Sequence, residues 1–232
     1  MLRKSVPNMF TVLNLFFGIV AIILVLNDTP VFPDFDNANL ASIIVIISMM
    51  MDGIDGRLAR ALNVQSEFGK ELDSLSDVIS FGVAPAFIMY VVAYGDINPP
   101  LAWITTAIFP ICGALRLARF NVIEGIPGYF IGLPIPAAGV ILCTLALFHQ
   151  EMSSYVLVPA SLLLSFLMIS RIKYPSFKKV RITKKAALLM LLFVGIALII
   201  AVLFPNYLSR LIFVPLVIYA LYGTFMGFKR KR

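Results

Sequence analysis

Long apolar runs broken by short polar connections set the pattern of this chain. Runs at 9–26, 101–120, 134–148, 155–170, 186–204 and 208–228 approach or reach the roughly 20 residues that a helix needs to cross a hydrocarbon core. Two further runs look incomplete. Residues 38–51 are apolar but too few to cross, and Asp52 and Asp55 follow at once. Residues 78–94 are apolar, but the turns before them carry Lys70, Glu71, Asp73 and Asp77. Extended through their polar ends, both segments reach spanning length and meet near one membrane face, joined by a tight connection at 63–66. Charged ends on membrane helices are sustainable where they line an aqueous cavity rather than lipid. The pattern therefore predicts an all-α integral membrane protein with about eight transmembrane helices and both termini on the same side.

Composition agrees. The chain is 60% hydrophobic and only 13% charged, whereas a soluble domain is about half apolar and a quarter charged. With 232 residues and eight spans, little lies outside the bilayer. We expect one polytopic domain over 1–232, with a core at about 1–170 and C-terminal helices at about 186–228. Arg3 and Lys4 precede the first run as in a signal peptide, but no small-residue cleavage site follows it, so that helix is expected to be retained. The net charge of +7 does not indicate nucleic acid, because the basic residues sit at helix ends, where anionic lipid headgroups and topology place them. Arg3, Lys4, the acidic motif, Arg116, Arg119, the basic run 171–185 and the tail 229–232 fall on one side. Asp28, Asp34, Asp36, Asp96 and Glu151 fall on the other, with Arg210 the only basic residue there. The positive-inside rule then puts the motif face in the cytoplasm of a multi-pass cell-membrane protein. Cys112 and Cys143 lie within apolar runs and form no paired motif. His149 falls in a loop opposite the motif and is given no role.

On a helix, residues three or four apart share a face. Asp52 and Asp55 therefore project together, as do Asp73 and Asp77, and two antiparallel helices bring all four carboxylates to one point. Oxygen ligands without His or Cys select magnesium, manganese or calcium. Four converging carboxylates suit two such ions, the arrangement that clamps both sides of a phosphoryl displacement. Gly56 and Gly69 flank this face, either for close helix packing or to let a flat ligand lie on bare backbone. Arg60, beyond Asp55, either snorkels to headgroups or grips a diphosphate.

The series Asp52-x-x-Asp55-Gly56-x-x-Ala59-Arg60, eight residues, then Gly69-x-x-x-Asp73-x-x-x-Asp77 resembles in every defined position the signature of the CDP-alcohol phosphotransferase family. The resemblance implies transfer of a phosphatidyl-type group from a CDP-linked lipid, CDP-diacylglycerol or CDP-archaeol, to a small alcohol with release of CMP. It implies two divalent cations, Mg2+ or Mn2+, one held by Asp52, Asp55 and Asp73 and the other by Asp52, Asp73 and Asp77, with Asp77 also the general base. It places Gly56, Ala59 and Gly69 against cytidine, Arg60 on the diphosphate and Ser66 near the nucleotide. Pro7-Asn8-Met9-Phe10-Thr11 resembles the family's Pro-Asn-x-x-Thr element, which implies nucleotide contacts for Asn8 and Thr11; otherwise these cap a helix. Related proteins also imply a homodimer, supported by the small and aromatic faces of the third and fourth spans.

The aspartate motif does not select the acceptor. The stretches 115–121 and 132–138 resemble the serine-using branch of the family. Arg116 and Arg119, one turn apart, suit the carboxylate of L-serine, or else serve topology, and Asn121 would orient its amino group. Glycerol 3-phosphate or inositol phosphate are the other acceptors to weigh. A divalent-cation transporter would need carboxylates near the midplane and paired broken helices, and the sequence has neither.

Overall fold

The computed structural model describes residues 2–33, 36–61, 66–122 and 129–175, with the backbone alone at 2–7, 50, 54–61 and 175. These residues are mostly helical. Helix α1 spans Leu2–Leu26 and α2 Asn37–Ala61. Asn37 orders the polar loop between them. Its amide donates to the carbonyls of Asn27 and Thr29, each at 2.9 Å, and its side-chain oxygen accepts from the Val31 N–H at 3.0 Å.

Helix α2 runs without a break from its apolar start through both Asp52 and Asp55. The third rod does the reverse, from polar to apolar. It begins as α3, Glu67–Asp77, passes through a π-helical segment at Val78–Val83 and ends as α4, Ala84–Ala93. Ser66 caps it, accepting from the Gly69 N–H at 3.0 Å. Pro85 gives a cause for the π-helical segment. It has no N–H for the Phe81 carbonyl four residues earlier, and its ring would crowd that oxygen in a regular α-helix. Widening the turn relieves the crowding.

Helix α5, Pro99–Val122, follows. Strand β1, Tyr129–Ile131, leads to α6, Ile135–Leu147, α7, Ser154–Ile169, and strand β2, Lys173–Pro175. The strands pair antiparallel with Phe130 opposite Tyr174, a ribbon that the run of basic residues does not announce. Gly132 has φ +79° and sits so close to α7 that an added Cβ would lie 2.1 Å from the Met168 carbonyl oxygen. Only glycine fits both requirements.

Among the described residues, three rods are long and apolar enough to cross a membrane: Asn8–Leu26, Glu67–Ala93 and Pro99–Val122. The expected spans at 134–148 and 155–170 form helices of 13 and 16 residues, short of the 20 or so needed. For α6 the reason is visible. It is buried along almost its whole length by protein, including Ile135, Ala138, Val140, Leu142 and Cys143, so it need not match the hydrocarbon thickness. The expected spans at 186–204 and 208–228 lie outside the described residues, so the count of eight and the shared side of the termini are not established. Met9, Val12, Phe16, Ile19 and Ile23 of α1 form an exposed apolar stripe, as do Leu101, Ile104, Ile111 and Leu115 of α5. Stripes at this spacing suit contact with lipid tails.

Helix α6 reaches the π-helical segment through Gly139, whose added Cβ would lie 2.4 Å from the Phe81 carbonyl oxygen. Gly139→Ala must separate two backbones and should cost about 1–3 kcal/mol. Thermal unfolding of the purified protein should then start several degrees lower, at roughly 2–4 °C per kcal/mol. An unchanged midpoint would show that this contact does not hold the bundle together.

Candidate active site

Helix α3 presents different flanks to three neighbours, and this assembles the site. Toward α1, Ser76 donates to the Thr11 carbonyl at 3.1 Å, and Gly69 faces Asn8. Toward α5, Asn121 donates to Ser74 Oγ at 3.0 Å and to Glu71 Oε1 at 3.4 Å. Toward α2 it turns Asp73 and Asp77. Carboxylate oxygens of Asp52, Asp73 and Asp77 lie within 4.8 Å of one another, with Asp77 buried and the other two half-buried.

Three carboxylates this close repel by about 3–4 kcal/mol per pair at an effective dielectric near 20. A bound divalent cation turns the same oxygens into a favourable ligand set, and hard oxygen donors suit Mg2+, Mn2+ or Ca2+. The arrangement therefore fits a metal. Asp55 follows Asp52 by three residues on α2, so both start from one helix face. The side chains of Asp55, Gly56, Ala59 and Arg60 lie outside the described residues.

Among the expected nucleotide contacts, Asn8, Ser66 and Gly69 come together. A Cβ built on Gly69 would stand 3.0 Å from Asn8 Oδ1 and 3.1 Å from Ser66 Oγ. The Ser66 hydroxyl meanwhile caps α3. Thr11 is buried one turn along α1 from Asn8.

The two arginines expected to share a carboxylate have different surroundings. Arg116 is buried, with its guanidinium carbon 6.0 Å from the centre of the Phe120 ring. Arg119 turns to α7, donating to the carbonyls of Ile169 at 2.8 Å, Ser170 and Ile131 at 3.2 Å, and Met168 at 3.4 Å. A cation there satisfies carbonyls that the helix end leaves without partners and complements its dipole. This supports a structural role for Arg119 rather than a two-pronged clamp with Arg116.

Reading the sequence for carboxylates and signatures passed over a set of buried polar residues: Asn14, Ser48, Ser76 and Ser80. The available signal was positional. Asn14 follows Thr11 by three residues within an apolar run, Ser48 precedes Asp52 by four, and Ser80 follows Asp77 by three.

An acidic cluster at the polar ends of two apolar rods, flanked by an asparagine-glycine face, is a candidate metal-dependent active site. A family model for CDP-alcohol phosphatidyltransferase matches residues 4–167, and the chain belongs to that family, whose members depend on metal. It is 40% identical over 202 residues to a protein of Helicobacter pylori named CDP-diacylglycerol–serine O-phosphatidyltransferase, covering 83% of this chain and 81% of that one. A protein of the same name from Methanocaldococcus jannaschii is 39% identical over 221 residues, 94% of this chain and 92% of the relative. The archaetidylserine synthase of Methanothermobacter thermautotrophicus is 37% identical over 179 residues, 74% of this chain and 70% of the relative.

Proposed function

We propose that this enzyme transfers a phosphatidyl or archaetidyl group from a CDP-linked lipid to the hydroxyl of L-serine, giving a phosphatidylserine-type lipid and CMP. The observation that carries the reading is the meeting of Asp52, Asp73 and Asp77 within 4.8 Å beside the Asn8–Gly69 face. The names of the relatives support serine as the acceptor and leave both CDP-diacylglycerol and CDP-archaeol as donors.

The hydroxyl oxygen of serine bonds to the phosphorus bearing the lipid as the bond from that phosphorus to the CMP oxygen breaks. Asp77 receives the hydroxyl proton on its carboxylate. Its burial keeps bulk water from competing for that role. Two divalent cations held by Asp52, Asp55, Asp73 and Asp77 would neutralise the diphosphate and stabilise departing CMP. Asn8, Thr11, Ser66 and Gly69, with Gly56 and Ala59 from α2, would seat the cytidine, and Arg60 would hold the diphosphate. Because α1 takes the nucleotide side of α3, the acceptor enters from α5, where Arg116 and Asn121 are the candidates for the carboxylate and amino groups of serine; Arg119 holds the neighbouring wall. The basic residues on the motif side favour an active site facing the cytoplasm, and a homodimer is the proposed assembly.

Purified protein given CDP-diacylglycerol and labelled serine should release CMP and form labelled lipid. Labelled glycerol 3-phosphate or inositol phosphate should give at most a few per cent of that rate, since a site built to hydrogen-bond one polar acceptor discriminates strongly against others. Turnover with glycerol 3-phosphate and none with serine would reassign the acceptor while leaving the family chemistry in place.

A further inference from the structure

We propose that Asn14 is a positioning residue for the acidic cluster. With Ser48 and Ser80 it forms a polar layer one helical turn deeper in the bundle than Asp52 and Asp77, and that layer sets how far apart α2 and α3 stand. The proposal rests on the metal reading above.

All three residues have no exposed surface. Ser80 donates to the Asn14 carbonyl at 2.9 Å, and Ser48 donates to the same carbonyl at 3.2 Å and to the Asn14 side-chain oxygen. One residue of α1 thus ties α2 to the π-helical segment that follows α3. The register does the rest. Ser48 and Asp52 are four apart on α2, and Ser80 follows Asp77 by three residues on the third rod, so each serine lies about one turn from a carboxylate on its own rod. Fixing the two hydroxyls on one asparagine therefore fixes the two carboxylates one turn above. Gly18, one turn further along α1, allows the close approach this requires: an added Cβ there would lie 2.7 Å from the Ser80 Cα.

Stability alone is a weak reason for such a layer. Hydrogen bonds between membrane helices contribute only about 0.6 kcal/mol on average, and apolar packing would hold the helices as well. Directional bonds add a defined separation. The carboxylates need that, because ligand positions must hold to a few tenths of an ångström and loss of the groups that orient ligands weakens metal binding by about 10–100-fold. The Asn14 side-chain nitrogen is buried and has no hydrogen-bond partner among the described residues. An alanine would avoid that penalty, so the side chain is retained for its oxygen.

The test is Mn2+ binding, followed by electron paramagnetic resonance on purified protein without substrate, beside thermal unfolding in chelator. Asn14→Ala, Ser48→Ala and Ser80→Ala should each weaken Mn2+ binding about tenfold or more. Tyr94→Phe removes another buried bond, Tyr94 to Ser161 at 2.6 Å, far along the third rod from the aspartates, and should leave Mn2+ binding unchanged. If the serine variants and any folded Asn14 variant bind Mn2+ as tightly as the parent, the positioning role is wrong. Equal weakening by Tyr94→Phe would also overturn it, because the effect would then be general loosening. A parent protein that binds no Mn2+ would instead remove the metal reading itself, and the proposal with it.

Discussion

Asp77→Asn is expected to abolish lipid transfer while leaving CDP-lipid binding largely intact. The change keeps an oxygen at the same place and nearly the same volume, but an amide does not accept the hydroxyl proton at neutral pH. Loss of a positioned base lowers turnover by about 10²–10⁴-fold. Asp77 is buried while Asp52 and Asp73 are half-buried, so water has poor access to substitute for it. The measurement is CMP release from CDP-diacylglycerol and serine, paired with a binding titration of the CDP-lipid. Turnover within a few-fold of the parent would remove Asp77 as the base. Loss of both turnover and binding would assign it to holding the donor instead.

Metal removal is the second large effect. Asp52, Asp73 and Asp77 bring their oxygens within 4.8 Å, a hard-oxygen set that suits a divalent cation. Exhaustive chelation should lower transfer by at least about a hundredfold. Mg2+ or Mn2+ should restore it, and monovalent salt should not. Substituting Asp52 or Asp73 by Asn should raise the metal concentration needed for half-maximal rate, because each removes a charged ligand. Full turnover after chelation would overturn the metal reading.

The apolar runs place most ends of six rods within about two residues, because hydrophobicity and the polar residues that interrupt it dictate where a helix leaves lipid, but α1 starts at Leu2, well before its run at 9, and α2 and the third rod extend through their polar ends to Ala61 and from Glu67. Asp52 and Asp73 with Asp77 were legible for a different reason: helical spacing of three and four converts directly into a shared face. Other features had no such signal. The π-helical segment at Val78–Val83 is as apolar as the α-helix it interrupts, and periodicity does not distinguish them in a run with no polar face. The strands Tyr129–Ile131 and Lys173–Pro175 are three residues each, too short for alternation to show. Arg119 read as a ligand because charge at a helix end suits either a substrate or topology; its actual partners are the carbonyls of a helix 50 residues away, as the Arg119–Ile169 bond shows. Long-range contacts of that kind are set by packing, not by local pattern.

The widened turn after Asp77 has a consequence for chain length. A π-helical segment holds one residue more than a regular α-helix of the same rise. Pro85 keeps a regular α-helical turn from forming here, so removing a single residue between Val78 and Val83 leaves the wide turn in place and shortens the α-helical part instead, which rotates the polar end by about 100° about the axis relative to Ala84–Ala93. With the far end clamped by α6 at Gly139, Asp73 and Asp77 would leave the flank that meets Asp52. This stretch therefore accepts apolar exchange far more readily than a change in its number of residues.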